Sequence, residues 1–407
     1  MSAGAQASAE VVIAGGGTVG VTLALALKRA LPNLDVAVVD RERPPSAEDA
    51  RASAIAAAAR RMLEQLGVWS ALAPQAQPIN EMVITDSRTG DAVRPVFLTF
   101  EGTVDGEPFA HMVPNSGLAL ALRSGAARAG VRFLADAVSD FEVGAAAARV
   151  RFRTGSLIAA NLLVAADGAA SPLRALAGIA TTELHYGQSG IVATVAHARP
   201  HNGRAEEHFL PGGPFAILPL TENRASLVWT EPSGDAARLM EMSGADFQSE
   251  LERRFGHRLG AVTLVGGRWS YPLGLTMARN LVKPRFALAG DAAHSIHPIA
   301  GQGLNLGFKD VAALAETIVE ARRLGLDPGS LAVLERYERW RRADMLVMGA
   351  VTDTLNRLFS NDVGPLRAIR DVGLGLVDRM PDLKRFFMRQ AAGAAGDLPR
   401  LLRGEPI

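Results

Sequence analysis

The chain has 407 residues, of which 48% are hydrophobic and 21% are charged, and its formal net charge at pH 7 is +1. The length predicts two domains and the composition is typical of a globular protein. The balanced charge gives no reason to expect nucleic acid as a partner. The absence of cysteine excludes disulfides, thiolate metal sites and cysteine nucleophiles. No apolar run approaches the ~20 residues of a membrane span and the N-terminus has no secretory pattern, so we expect a cytoplasmic protein, with peripheral contact at the inner membrane left open.

The first motif joins a strand to a helix through glycines. An apolar run at 11–14 is followed by a G-x-G-x-x-G sequence, and a helical pattern then covers 21–29. In this context the motif indicates dinucleotide binding, with a tight turn, a close approach of the backbone to a pyrophosphate and close helix packing. A second strand, 36–39, leads to an acid that can bind ribose hydroxyls. The residues assigned to the cofactor here are Gly15, Gly17, Val19, Gly20, Asp40 and Arg41.

The next segments connect the nucleotide-binding halves. Arg51 falls near the start of an alanine-rich helix predicted to reach about residue 66. Its guanidinium can bridge to a pyrophosphate, although a solvated arginine is the alternative. Residues 80–102 alternate as a hairpin with a turn at Gly90-Asp91. A helix over 117–129 follows Asn115, and strands are predicted at 131–134 and 148–152.

Two further motifs place an aspartate after a strand. The run 157–164 leads into Asp167 and Gly168, and Ser171-Pro172 then suits the start of a helix. The run 286–289 leads into Gly290-Asp291. Because ligands bind at the carboxyl ends of strands in a doubly wound sheet, we expect Gly15, Asp167 and Asp291 to meet at one crevice.

The loop after Asp291 leads to a long helical pattern that runs from Leu304 to about residue 323. A glycine-rich approach to a helix leaves backbone N–H groups directed at a bound ligand, and the helix dipole favours negative charge there. The residues assigned to the cofactor in this stretch are Gly290, Asp291, Pro298, Gly301, Gly303, Leu304 and Asn305.

The region 181–272 has a different character. Strand patterns at 191–198, 207–210, 215–219, 225–230 and 264–271 surround one predicted helix, 244–255, and the chain after 325 is helical with breaks near Ser360-Asn361 and Gly364-Pro365. We therefore predict an α/β fold: a discontinuous Rossmann-like dinucleotide-binding domain (1–79, 103–180 and 273–345), an inserted α+β substrate domain on a largely antiparallel sheet (80–102 and 181–272), and a C-terminal helical region with a surface tail (346–407).

These motifs, in this order, resemble the flavoprotein aromatic hydroxylases of the p-hydroxybenzoate hydroxylase fold. More narrowly, the chain resembles the ubiquinone-biosynthesis hydroxylases, from residue 11 to about 340 and again at 397–404. The most specific match is Gly290-Asp291-Ala292-Ala293-His294, continuing through Pro298, Gly301, Gly303 and Asn305. The chain departs from the family at Asn115, where many relatives have a basic residue or glutamine, and Arg123 is the predicted substitute for that FAD contact.

The resemblance implies FAD as cofactor, O2 as oxygen source and NAD(P)H as a transient reductant. In that family the aspartate of the last motif binds the ribityl chain and the arginine matched by Arg51 lies near the phosphates. The motif matched by Asp167-Gly168 is linked there to the binding of both FAD and the reduced nicotinamide. A flavin C4a-hydroperoxide collapses in water, so a dry pocket is expected. His297 and Pro298 lie in the loop beside the flavin and are the predicted catalytic positions.

The substrate implied by the resemblance is a polyprenylated phenol or benzoquinol of ubiquinone biosynthesis. Aromatic and aliphatic residues of the inserted strands can line its pocket, although plain sheet core is the alternative for each. The residues predicted to contact the substrate are Phe215, Ile217 and Trp229, with Phe209, Leu218 and Val228 as further lining. The proton acceptor is not fixed by the sequence, and the candidates considered are His185, Tyr186, His208, Tyr271 and His294. No spacing typical of metal ligands occurs.

Two other functions fit the same motifs. A hydroxylase of small soluble aromatic acids would need an arginine facing the flavin, for which Arg204, Arg224 and Arg268 are the candidates. A flavin-binding accessory subunit without turnover would keep the FAD motifs but consume no oxygen with any substrate.

Overall fold

A computed structural model describes residues 8–41, 51–87, 89, 91, 94–296, 303–359 and 380–407. The turn predicted at Gly90 and the helix breaks predicted between 360 and 365 lie outside these ranges. None of the helices in the described ranges combines the length and the hydropathy of a membrane span.

The described elements are strands and helices up to residue 295, and those that begin at Gly303 or later are helices. The strands are β1 Ser8–Ala14, β2 Val36–Asp40, β3 Ala52–Ala56, β4 Gln77–Ile79, β5 Glu81–Asp86, β6 Val96–Glu101, β7 Thr103–Val104, β8 Glu107–Pro108, β9 Ala110–Pro114, β10 Arg132–Ala135, β11 Val138–Val143, β12 Ala148–Phe152, β13 Leu157–Ala165, β14 Thr181–His197, β15 Arg204–Leu210, β16 Gly213–Leu220, β17 Arg224–Pro232, β18 Val262–Ala278, β19 Val282–Lys283, β20 Phe286–Leu288 and β21 His294–Ser295. The helices are α1 Thr18–Ala30, α2 Ala57–Gln65, α3 Trp69–Leu72, α4 Asn115–Arg128, α5 Pro172–Leu176, α6 Ser233–Glu241, α7 Gly244–Phe255, α8 Gly303–Arg323, α9 Leu331–Phe359, and the helices Pro381–Ala391 and Arg400–Arg403.

The first sheet carries the three predicted nucleotide motifs. Its strands β10, β2, β1, β13 and β20 run parallel, and β12 and β11 continue it in antiparallel fashion from the N-terminal half of β13. The carboxyl ends of β1, β13 and β20 therefore lie at one edge, as parallel pairing requires. Helices α1, α4 and α8 pack together beside this sheet, and their apolar faces join its strands in the main hydrophobic core.

The second sheet has the order β21-β18-β14-β17-β16-β15-β5-β6 and is antiparallel except where β15 pairs with β5. The hairpin predicted over 80–102 is present as β5 and β6, which join this sheet. Helices α6 and α7 follow β17 and cover one face of the sheet with a second core cluster. The predicted fold class, an α/β unit with a largely antiparallel inserted sheet, is confirmed.

Three details differ from the prediction. Arg51 precedes a strand, β3, which pairs with β9 in a small sheet, and the alanine-rich helix α2 begins only at Ala57. The inserted region contains α6 as well as α7. The tail does not lie on the surface, because Leu401 and Leu402 are buried in the main core, where apolar side chains outweigh the charges that surround them.

Candidate functional site

The glycines of the first loop create a cradle for a ligand. Gly15 has a φ of +112°, and a Cβ there would lie 2.1 Å from the carbonyl oxygen of Ala166, so only glycine fits. A Cβ at Gly20 would lie 2.0 Å from the Gly15 carbonyl oxygen. A Cβ at Gly17, by contrast, would meet no protein atom within 4 Å. The backbone at Gly17 is therefore open on the side where a ligand can approach, while Gly15 and Gly20 serve the packing of the loop.

A cavity of about 500 Å³ lies above the carboxyl ends of β1, β2 and β13. Four of the predicted cofactor residues line it at the sheet edge, together with Gly17: Gly15, Asp40, Arg41 and Asp167. The placement brings together the first glycine motif and the acid that ends β2, as the sequence predicts. Such a concave site beside a glycine-rich turn suits the nucleotide half of a dinucleotide.

A larger cavity of about 740 Å³ lies between the two sheets. It shares Gly17, Ala166 and Gly168 with the smaller cavity, so the two are adjacent along the glycine loop. The predicted cofactor residues that line it are Gly17, Val19, Arg51, Asp291, Gly303, Leu304 and Asn305. His297, Pro298 and Gly301 lie outside the described residues.

Contacts between residues far apart in the sequence hold the three motifs together. Val19 packs against Gly290 and Gly307, where an added Cβ would lie 3.0 and 2.7 Å from its side chain. Arg174, buried at the end of α5, donates to the carbonyl oxygens of Ala169 (2.9 Å) and Ala292 (2.8 Å). The motifs of Asp167 and Asp291 are therefore fixed relative to each other by one guanidinium, a role that no sequence pattern signalled.

A buried charge cluster supports the Gly290-Asp291 loop from below. The carboxylate of Asp310, which is fully buried, accepts hydrogen bonds from the Gly290 amide (2.9 Å), His294 Nε2 (2.6 Å) and Arg341 Nε (2.7 Å). Burial alone would raise the pKa of Asp310, but His294 and Arg341 outweigh it and hold that pKa below its usual value. His294 therefore helps to orient the loop through its hydrogen bond to Asp310. The spacing of these residues in the sequence did not indicate that Asp310 and Arg341 would take part.

Asp291 projects into the larger cavity, where its side chain is exposed. The protein around it nevertheless raises the pKa of its carboxyl by desolvation, an effect that His294 opposes and Asp310 reinforces. Asp167 is already engaged, because Ser171 Oγ (2.6 Å) and the Leu173 amide (3.3 Å) donate to it at the start of α5. Asn305 uses its amide to bond the backbone of Ala54 and Ala56 in β3.

The two predicted arginines differ in placement. Arg51 lines the larger cavity beside Asn115, whose backbone amide donates to the Arg51 carbonyl oxygen (2.9 Å). Arg123 lines neither cavity; its guanidinium lies 4.8 Å from the ring centroid of Phe133. The expectation that Arg123 replaces a missing contact at Asn115 is therefore not supported by its position, because it projects from α4 toward strand β10.

The residues predicted to contact the substrate, Phe215, Ile217 and Trp229, do not line the cavity. They are almost fully buried against α6 and α7 on the opposite face of the second sheet. Successive residues of a strand point to opposite faces, so the cavity receives their neighbours. On strands β14 to β17 the lining residues are Val192, Ala205, Glu207, Ala216, Leu218, Ser226 and Val228. Leu218 and Val228 were among the predicted lining residues.

Comparison with known proteins agrees with this geometry. Residues 8–348 match the family described as FAD binding domain. Ubiquinone hydroxylase UbiL of Rhodospirillum rubrum is 46% identical, over 98% of this chain and 94% of that protein. 3-demethoxyubiquinol 3-hydroxylase of Escherichia coli is 36% identical, over 94% of this chain and 98% of that protein. The chain belongs to the FAD-dependent hydroxylases of ubiquinone biosynthesis.

A solved structure shows the same fold in a more distant protein. The p-nitrophenol 4-monooxygenase PnpA of Pseudomonas putida superimposes with a TM-score of 0.79 at 19% identity, over 96% of this chain and all of that one. At this identity the likeness shows that the hydroxylase shares the fold of that protein. The hydroxylase's two adjoining cavities, the open backbone at Gly17 and the carboxylates of Asp40 and Asp291 fit a dinucleotide that extends from one cavity into the other.

The hydroxylase also carries an acid that sequence reasoning missed. Glu207 on β15 lines the larger cavity and is only 3% exposed. Burial raises the pKa of its carboxyl to about 7. The pattern Glu206-Glu207-His208 gave no signal, because the direction of each side chain depends on which face of β15 meets the cavity.

Of the earlier proton-acceptor candidates that the structure describes, Tyr271 lines the cavity. His208 lies on the other face, where it contacts Thr85 (2.7 Å) and Glu206 (3.2 Å). Desolvation raises the pKa of the Tyr271 hydroxyl, and Arg51 partly opposes this shift. Tyr271 is therefore a neutral hydroxyl at the cavity.

Proposed function

We propose that this enzyme hydroxylates the ring of a prenylated phenol or benzoquinol intermediate of ubiquinone biosynthesis, with O2 as the oxygen source. The observation that carries the proposal is the larger cavity, in which residues of the flavin motifs face an apolar sheet surface. Val192, Leu218 and Val228 lie on that surface, opposite Asp291 and Leu304. An uncharged ring with an apolar tail matches such a wall.

The residues of the chain have separate tasks in this reaction. FAD, when bound, supplies the activation of oxygen for transfer to the ring. We assign Gly17, Asp40 and Arg51 to binding the dinucleotide and Asp291 to its ribityl chain, while Asp310 and Arg341 hold the Asp291 loop in position. The apolar sheet residues exclude water from the cavity and would keep water away from FAD when it is bound.

A hydroxylase of small aromatic acids is less well supported. Arg204 pairs with Glu206, Arg224 with Glu222, and Arg268 donates to the carbonyl oxygens of Met240 and Met242. None of these three guanidiniums lines the cavity. Among the described lining residues, Arg51 is the cation, and it lies at the flavin side rather than on the sheet.

We further propose NADH or NADPH as the reductant. Its binding would be transient, because the chain has no second dinucleotide fingerprint to hold it. We place the enzyme in the cytoplasm, with peripheral contact at the inner membrane where prenylated substrates reside. The division into an FAD-binding unit and an inserted substrate unit stays a prediction at the stated boundaries, supported by the separation of the two sheets.

The test is substrate-dependent oxygen uptake by the purified holoenzyme. A prenylated phenol and salicylate are each supplied with NADH or NADPH, and hydroxylated products are identified by mass spectrometry. We expect product from the prenylated phenol; rapid hydroxylation of salicylate alone, or no product from either compound, contradicts the proposal.

A matched pair of variants locates the reaction in the cavity. Val228→Trp fills the sheet side of the larger cavity, where we place the aromatic ring of the substrate. The variant should therefore lose hydroxylation while it retains FAD. Val96→Trp places the same indole on β6, where Val96 is 53% exposed, and should have no effect. Equal activity in the two variants would show that the reaction occurs elsewhere.

A further inference from the structure

Glu207 occupies the centre of the apolar sheet surface. In the register of the sheet it lies beside Ile84 on β5 and Ala216 on β16, and Val228 follows on β17. All of its immediate cross-strand neighbours are apolar. The carboxyl group is therefore a polar group with apolar cross-strand neighbours in the cavity wall.

Within the ranges that the structure describes, the side chain of Glu207 makes no hydrogen bond or ion pair, although the residue is only 3% exposed. Neighbouring buried acids behave differently. Glu206 pairs with Arg258 and His208, and Glu231 accepts hydrogen bonds from Trp229 and Arg254. Buried polar groups are nearly always satisfied, so an acid left without a partner at a cavity wall points to a partner supplied by a ligand.

The other titratable side chains that line the cavity are Arg51, Tyr271 and Asp291. None of them perturbs Glu207 appreciably, because burial is the sole cause of its shifted pKa. Among the described residues, none supplies Glu207 with a cation that would hold it ionised and inert. Its charge is governed by the cavity itself and by whatever hydrogen-bond donor enters it.

We propose that Glu207 binds the ring hydroxyl of the substrate and accepts its proton, an inference that rests on the proposed function. The hydroxyl O–H bond breaks, the proton passes to a Glu207 carboxylate oxygen, and the electron pair stays on the ring oxygen. No oxidant or reductant takes part in this step. The ring thereby becomes the more electron-rich phenolate, which is the better nucleophile for oxygen transfer.

The same carboxyl group sets a preference among aromatic substrates. A phenol or quinol donates a hydrogen bond to Glu207 and relieves its lack of a partner. A benzoate-type acid brings a second negative charge into an apolar wall without a cation, which is unfavourable. Glu207 thus selects neutral ring hydroxyls and rejects ring carboxylates.

The experiment compares holoenzymes carrying Glu207→Gln, Glu207→Asp and Glu101→Gln. Gln preserves the shape of Glu207 but cannot take a proton, whereas Glu101 is an exposed acid at the end of β6 in the same sheet. FAD content is measured first and should be equal in all. The affinity for a prenylated phenol is then measured from the flavin absorbance change between pH 5.5 and 8.5, with kcat over the same range.

We expect the wild type and Glu101→Gln to show a rise in kcat centred near pH 7, as an acid with the pKa of Glu207 would give. Glu207→Gln should lose this rise and at least tenfold in kcat above pH 7, and it should bind salicylate more tightly than the wild type. Glu207→Asp should restore part of the pH dependence. A Glu207→Gln enzyme with the wild-type pH profile and unchanged salicylate affinity would overturn the proposal.

The affinity measurement distinguishes a failure of this proposal from a failure of the proposed function. If the wild type turns over no prenylated phenol, the proposed function fails, but phenol affinity still reports on Glu207. A pH dependence of phenol affinity that disappears in Glu207→Gln supports the role of this residue, and an affinity with the same pH dependence in both proteins overturns it.

Discussion

Burial of Glu207 without a partner should make the stability of the enzyme depend on pH in a way that one substitution removes. Its pKa rises from 4.5 in the unfolded chain to about 7 in the fold. Because the folded state binds this proton more tightly, the wild type loses stability as the pH rises from about 4.5 to about 7, and the loss is complete above that range. At about 1.4 kcal/mol for each pKa unit, the full penalty is about 3 kcal/mol.

Glu207→Gln has no proton to lose, so its free energy of unfolding should rise relative to the wild type by about 2–3 kcal/mol between pH 5 and pH 8. The assay is urea denaturation of the substrate-free holoenzyme at several pH values, followed by flavin fluorescence and circular dichroism. Glu101→Gln serves as the control, since its exposed carboxyl should give no such difference. A gap between wild type and Glu207→Gln that stays constant with pH would refute the conclusion that this carboxyl is buried and unpaired.

Further predictions concern the cradle, the buried cluster and the sheet. Gly17→Ala should fold normally but retain less FAD, whereas Gly20→Ala should destabilise the fold through its clash with the loop backbone; flavin-to-protein ratio and thermal melting distinguish them. Arg341→Met should cost about 3 kcal/mol of stability in urea denaturation, because it leaves a buried carboxylate short of a partner. Ile217→Ala should cost about 2–5 kcal/mol without altering KM, while Leu218→Ala should chiefly raise KM for the prenylated substrate.

Much of the cofactor site could be predicted from local pattern. The fingerprint from Gly15 to Gly20 requires specific backbone conformations and close approaches, and these constraints act over a few residues. The structure brings Gly17, Asp40 and Asp291 to two adjoining cavities at one sheet edge, as the three strand-end motifs indicated. Parallel pairing explains this result, because it places all carboxyl strand ends on the same side.

The supporting contacts could not be predicted in the same way. Arg174 reaches the carbonyl oxygen of Ala292, and Arg341 reaches Asp310, across long stretches of sequence. Such contacts depend on how separate elements pack, and the sequence around a helical arginine does not show which other element its side chain contacts. The short strand β3 was also missed, because an alanine-rich segment favours a helix unless a partner strand such as β9 is available.

The sequence by itself determined the fold class, the FAD fingerprint and the alternation of the inserted strands. Only the tertiary structure decided which face of those strands meets the substrate cavity. One face of the second sheet packs against α6 and α7, and the other face lines the cavity, so apolar residues occur on both faces. A period of two tells which residues share a face but not what that face contacts. For that reason Phe215 and Trp229 belong to the core, and Glu207 belongs to the site.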